Sequence, residues 1–205
     1  MVTGTGTDVG KTWLACRLAE IFQRGGHSVS ARKPAQSFEP SSAFPTDAEV
    51  LSSATGEAAT QICPAPRWYP IALAPPMAAE HLGERPFTVG DLVAEISWPL
   101  GAEIGLVELA GGVGSPQAAN GDGVDFIDLM GPDYVLLVTG AALGALSNVN
   151  LAQRALSRTR LIVYMNRFAA QDPVHLANKA WLEQRTGLRV CVAPEEAAEV
   201  VLSRV

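Results

Sequence analysis

The residues best equipped for chemistry stand together near the start of the chain, in Thr3-Gly4-Thr5-Gly6-Thr7-Asp8-Val9-Gly10-Lys11-Thr12. A phosphate cradle needs glycines so that backbone N–H groups can converge on an anion. It also needs a lysine to reach the β- and γ-phosphates and a hydroxyl to hold Mg²⁺ at a helix N-terminus. Gly10, Lys11 and Thr12 supply the second half of that device. The first half departs from the general pattern, whose leading glycine would fall on Thr5; glycines stand instead at Gly4 and Gly6, and the loop is longer than usual by a residue.

Three charged residues farther along are placed to join this loop. Lys33 precedes a proline at the end of a strand-like run, Asp47 opens a helix-like stretch, and Glu108 sits in the apolar run Leu106-Val107-Glu108-Leu109. Lys33 is either a ligand contact beyond a carboxyl strand end or a solvated strand end. Asp47 is either a ligand or the cap of its own helix, where a carboxylate is favourable anyway. Glu108 is harder to dismiss, because a charge in an apolar strand is costly unless it is paired or metal-bound. Thr12, Asp47 and Glu108 are candidate Mg²⁺ ligands, since that ion takes a few protein oxygens and completes its shell with phosphate and water. Lys11 and Lys33 are the candidate catalytic residues, neutralising charge on a transferred phosphoryl group.

These residues need a frame that brings strand ends together. Apolar runs alternate with helix-like stretches, the pattern of a parallel sheet covered by helices on both faces. Trp13–Arg24 repeats apolar residues at helical spacing and stops at Gly25-Gly26, where a left-handed cap is expected. Strands are expected at His27–Ala31, Leu106–Leu109, Tyr134–Thr139 and Arg160–Met165. The stretch from Pro64 to Pro86 carries too many prolines for regular structure throughout and is expected to hold one helix near Met77–Leu82. Gly111–Gly123 reads as an active-site loop or a mobile connection.

The composition fits one α/β domain over 1–205: 205 residues, 48% hydrophobic and 18% charged, below the roughly 25% charge usual in soluble domains. The net charge of −6 excludes a nucleic-acid binder that works by displacing counterions with a basic face. No apolar window reaches the length of a bilayer span, so no membrane partner is expected. No basic and apolar export leader opens the sequence, and Cys16, Cys63 and Cys191 form no Cys-x-x-Cys pair, so a cytoplasmic protein with spectator thiols is expected. His81 reads as a packing or surface residue.

The long loop and a series of downstream motifs resemble the ATP-dependent dethiobiotin synthetases. Lys33-Pro34-Ala35-Gln36-Ser37 is similar to that family's segment after the second strand, and Thr46-Asp47-Ala48-Glu49-Val50-Leu51 to its acidic helix start. Ala74–His81 resembles its proline-rich substrate segment, Val107–Gly112 its strand-end Glu and glycines, and Leu143–Asn148 its segment at a dimer interface. The resemblance implies a P-loop NTPase-like single domain that binds ATP and Mg²⁺ and acts on a small-molecule diamine and CO₂ as a homodimer. It implies nucleotide contacts from Thr7, Asp8, Val9, Gly10, Lys11, Thr12, Trp13, Asp47, Glu108 and Gly111. Asn166 and Arg167 would stand at the base, with Pro194 and Glu195 in a short lid over it. Ser37, Gly112, Ser147 and Asn148 would contact the second substrate.

In the reaction so implied, an amine of 7,8-diaminopelargonate takes up CO₂ as a carbamate, ATP phosphorylates it, and the second amine closes the ring. Leu109, Phe38 and Ser147-Asn148 depart from the family pattern on the amine side, and Leu109 would put bulk where backbone should approach a ligand. Arg167 stands where some members carry an acidic residue; an arginine can only donate or stack, which would relax base selectivity. The alternatives are a related cyclo-ligase on another diamine, a member that has lost catalysis, and a partitioning-type switch ATPase. Such ATPases generally carry an extra lysine early in the loop, and Thr3–Val9 contains none.

Overall fold

The computed structural model describes residues 1–203. The chain runs β1 (Val2–Gly4), α1 (Lys11–Arg24), β2 (Val29–Arg32), β3 (Gln36–Ser37), α2 (Asp47–Thr55) and α3 (Ala59–Ile62). A 3₁₀ turn at Ala65–Arg67 leads into β4 (Trp68–Tyr69), α4 (Pro75–His81), α5 (Val89–Ala94) and β5 (Ile104–Val107). The hairpin β6 (Pro116–Ala118) and β7 (Gly121–Asp122) precedes α6 (Gly123–Met130), β8 (Val135–Gly140) and α7 (Ala145–Ala155). The chain continues through β9 (Leu161–Asn166), α8 (Pro173–Thr186), β10 (Arg189–Cys191) and α9 (Pro194–Leu202).

The central layer is parallel. Strands β1, β8, β9 and β10 pair in that order, β2 pairs with β5, and a parallel bridge from Val2 to Glu108 joins the two groups. The layer therefore reads β2-β5-β1-β8-β9-β10, with the direction of winding reversing at β1. Open α/β sheets place ligands at such a reversal, beyond the carboxyl ends of the strands.

Side-chain alternation along the strands explains why both faces are covered. Leu136, Val138, Ile162 and Tyr164 pack with Leu14, Leu18 and Phe22 of α1. Their neighbours Val135, Leu137, Val163 and Met165 pack with Phe126, Val149 and Leu182 on the opposite face. A period of two sends successive side chains to opposite sides, so strands buried on both faces are apolar throughout. Leu14, Leu18 and Phe22 are fully buried, each contributing about 2 kcal/mol through apolar burial.

The expected elements form, with ends set by their neighbours. Helix α1 starts at Lys11 rather than Trp13 because Gly10 adopts the left-handed conformation (φ 102°) and opens the helix. It ends as expected, with Gly26 at φ 89°. Strand β9 runs on to Asn166, which pairs with Gly140. The proline-rich helix begins at Pro75, whose fixed φ suits a first helical position. The Gly111–Gly123 segment contains the β6–β7 hairpin, and Gln117 bonds it to Ala110, just beyond the end of β5. The Gln117 side chain accepts from Ala110 N (3.3 Å) and donates to Ala110 O (2.8 Å) and Ser115 O (3.1 Å).

A glycine-rich loop facing a Lys–Glu–Asp cluster

The loop between β1 and α1 is held by its surroundings. Thr5 N donates to Val138 O (2.9 Å), and Val113 N donates to Gly4 O (2.9 Å). Asn166 Nδ2 donates to Val9 O (2.8 Å), Arg167 Nη2 donates to Asp8 O (3.2 Å), and Asp8 itself has φ 58°. Gly10 allows this approach, because a Cβ there would lie 2.0 Å from Asn166 Nδ2 as well as being strained at positive φ. Lys11 Nζ folds back onto Gly6 O (2.9 Å). Burial first, and then the nearby Lys33 ammonium, lower its pKa.

Across from the loop, three strand or helix ends converge. Thr12 Oγ1 lies 2.9 Å from Asp47 Oδ1 and 2.8 Å from Glu108 Oε1. Lys33 Nζ lies 2.6 Å from Asp47 Oδ2 and 2.8 Å from Glu108 Oε1. Lys33 is 2% exposed and Glu108 1%, whereas the Asp47 side chain remains 43% exposed at the mouth of the cluster. Burial opposes the charge on Lys33, but Glu108 and Asp47 together hold its pKa above the usual lysine value. Asp47 is likewise penalised by burial and yet held below the usual carboxylate range by Lys33 and Thr12. Burial pushes Glu108 up, against the pull of Lys33. Asp47 is presented by a capping box in which Thr46 and Glu49 exchange hydrogen bonds at the start of α2.

These groups line a cleft of about 790 Å³, within the roughly 300–1,000 Å³ typical of ligand sites. Thr7, Asp8, Gly10, Lys11, Thr12, Trp13 and Arg167 form its loop side, and Lys33, Ser37, Asp47, Glu108 and Gly111 also line it. Gly111 has φ 64°, and a Cβ there would lie 2.3 Å from Ser115 Oγ. Gly112 packs behind the loop against Gly6. Val9 contributes its carbonyl to Asn166, whose Oδ1 accepts from Arg167 N (2.9 Å), so both polar atoms of Asn166 are engaged within the chain. Pro194 and Glu195 open α9. Ser147 and Asn148 are exposed on the first turn of α7 and do not line this cleft.

Two of the expected departures have structural answers. Leu109 does not obstruct the cleft: it is fully buried in the core, because alternation turns it away from Glu108. Phe38 sets its ring edge-on to Trp68 (centroids 6.4 Å apart) rather than lining the cleft. His81 is exposed, and all three cysteines are buried and free. Burial pushes the Cys16 and Cys63 thiols up to about 12, too high for thiolate chemistry near neutrality.

Two cleft residues, Ser115 and Gln36, and the nearby Gln117 were given no role from the sequence. Ser115 accepts from Gly112 N (2.8 Å), Gln117 clasps the loop around it, and Gln36 lies beside Ser37 with its side chain almost wholly buried. Their roles depend on backbone partners that no local motif announces.

Two carboxylates and a hydroxyl on one side of a glycine loop suit a hard cation that shares its shell with phosphate. The buried Glu108 Oε2 has no partner in the chain, which leaves a free acceptor oxygen at that point. Among the described residues no group of three or more His, Cys, Asp or Glu gathers to hold a metal, so any cation here would draw the rest of its shell from ligands or water.

A strand, a glycine-rich loop closing on Gly-Lys-Thr and a helix, set at the winding reversal of a parallel sheet, define a P-loop NTPase-like protein. The signal recognition particle receptor FtsY from Elizabethkingia anophelis shares this fold at TM-score 0.51 and 15% identity, covering 97% of this chain and 63% of that one. A family profile described as an AAA domain matches residues 1–196. The ATP-dependent dethiobiotin synthetase of Caulobacter vibrioides is 38% identical over 159 residues, 76% of this chain and 72% of the relative. Those of Haloferax mediterranei (33% identical, 94% of this chain and 82% of the relative) and Aquifex aeolicus (30%, 95% and 87%) match over 203 residues. The chain belongs to the ATP-dependent dethiobiotin synthetase family and is an enzyme.

Proposed function

We propose that the chain joins CO₂ to 7,8-diaminopelargonate at the expense of ATP and closes the ureido ring of dethiobiotin. The observation that carries this reading is the meeting of Lys11 and Thr12 with the Lys33–Glu108–Asp47 cluster at one cleft of this family's fold. Loop N–H groups and Lys11 hold the phosphates of ATP. Thr12, Asp47 and Glu108 hold Mg²⁺, which when bound screens phosphate charge. An amine nitrogen attacks CO₂ and loses a proton, giving a carbamate. A carbamate oxygen attacks the γ-phosphorus and ADP leaves. The second amine then attacks the carbonyl carbon of that mixed anhydride, loses a proton and expels phosphate, closing the ring. Lys33 balances the negative charge gathered at the carbamate and phosphoryl oxygens. The protein's contribution is position and charge, so no nucleophilic side chain is needed.

Residues 1–205 act as one domain in this reading. Ser147 and Asn148 reach substrate from the partner subunit of a homodimer: Leu143 (88% exposed) and Leu151 (62%) flank them, an apolar surface suited to burial between copies. The three buried, unpaired thiols fit the reducing cytoplasm, and the net charge of −6 fits an enzyme with no nucleic-acid partner. Among the described residues no helix is long and apolar enough to cross a membrane.

Complementation tests the reading. Expression in a biotin auxotroph blocked at this step should restore growth without biotin, and Lys11→Ala should not. Failure of the well-expressed wild-type chain to restore growth would contradict it.

A further inference from the structure

Gln36 is the one buried side chain of the cleft whose amide is half used. Its Oε1 accepts from Ala48 N (3.0 Å) in the first turn of α2, and a backbone N–H can only donate. That bond fixes which way the amide faces. Its Nε2 is left buried and without an acceptor in a side chain 2% exposed. An amide nitrogen offers two N–H donors and no lone pair, so only an acceptor can satisfy it. Gln36 lines the cleft together with Lys33 and Asp47, held beside them by its bond to Ala48 N. A group that brings acceptor oxygens there is drawn by the Lys33 ammonium and can then bond Nε2.

We propose that Gln36 Nε2 donates to a carboxylate oxygen of the carbamate and so recognises the CO₂-loaded form of the diamine. The inference rests on the proposed function. Phosphate oxygens have the loop N–H groups and Lys11, whereas the oxygen pair of a carbamate is offered two neutral donors beside Lys33, the Ser37 hydroxyl and Gln36 Nε2. A free ammonium group brings only donors and gains nothing from Nε2, so the bond separates the carboxylated substrate from the bare diamine.

The test is calorimetric titration of 7,8-diaminopelargonate into wild type, Gln36→Met and Gln36→Glu, each saturated with Mg²⁺ and a non-hydrolysable ATP analogue, with and without bicarbonate. In wild type bicarbonate should tighten diamine binding; in both variants that gain should fall about tenfold, the worth of one hydrogen bond to a charged group. Diamine affinity without bicarbonate and affinity for the ATP analogue should be unchanged, which a merely structural role for Gln36 would not leave intact. Gln36→Glu keeps an oxygen for Ala48 N and so guards against misfolding as the cause. Equal bicarbonate gains in all three proteins, or loss of ATP-analogue binding in the variants, would overturn the role of Gln36 while leaving the proposed reaction standing. A wild type that binds the nucleotide analogue but not the diamine under either condition would overturn the proposed reaction, and this inference with it.

Discussion

At the scale of single residues, the centre of the molecule is an ammonium shared by two carboxylates. Lys33 lies within 2.8 Å of both Asp47 and Glu108, and two of these three groups are almost wholly buried. Removing one partner of a buried pair strands the other charge. Lys33→Met should therefore lower unfolding free energy by about 3 kcal/mol in urea titrations and abolish turnover. Unchanged stability would mean that the lysine does not neutralise Glu108. This cluster was legible from sequence because a charge in an apolar strand has few uses. Leu109 was misread because its bulk was weighed without its direction: a residue beside one that faces the cleft must face away. Gln36, Ser115 and Gln117 had no legible role, since Gln36 acts on a backbone N–H of α2 and the other two on backbone groups of their own folded loop.

At the scale of elements, turns and caps place the reactive groups. The Thr46–Glu49 capping box presents Asp47 to Lys33, so Thr46→Ala should cost about 1 kcal/mol by thermal denaturation. It should also weaken ATP binding; a variant with wild-type melting and affinity would show the cap to be idle. The β2 edge is closed by Glu57, which accepts from Ala31 N (2.8 Å), Ser30 Oγ (2.6 Å) and Arg32 Nη1 (2.7 Å). Burial raises the Glu57 pKa, but these donors outweigh it and hold the group below its ordinary 4.5. A carboxyl with a lower pKa when folded binds fewer protons than in the unfolded chain. Its stabilisation is complete above pH 4.5 and is lost as pH falls through the lower folded value. Glu57→Gln should reduce stability at neutral pH and flatten the fall in stability below pH 4.5. Parallel acid-unfolding curves for the two proteins would contradict this. Element order and type were readable from alternation and glycine stops; strand ends were not, because pairing partners decide them, as Gly140 does for Asn166.

At the scale of the whole molecule, the low charge fraction has a structural outlet. A sheet buried on both faces consumes apolar residues, and three of the charges that the interior does hold, Lys11, Lys33 and Glu108, stand at strand and helix ends around one cleft. The apolar surface left over at Leu143 and Leu151 flanks Ser147 and Asn148, which one chain's cleft does not use. In the homodimer proposed above, Leu151→Asp should shift the protein from dimer to monomer in analytical ultracentrifugation and depress diamine turnover more than nucleotide binding, and a wild type that is already monomeric would contradict the dimer. A variant that stays dimeric would place the interface elsewhere.

In the proposed function this cleft couples ATP cleavage to ring closure on a carboxylated diamine. The purified protein with Mg²⁺, ATP, 7,8-diaminopelargonate and isotopically labelled bicarbonate, followed by mass spectrometry and ADP release, measures that coupling directly. The expected result is dethiobiotin carrying the label in its ureido carbon, with ADP formed in equal amount and only when the diamine is present. ADP formation indifferent to the diamine, with no labelled ring product, would contradict it.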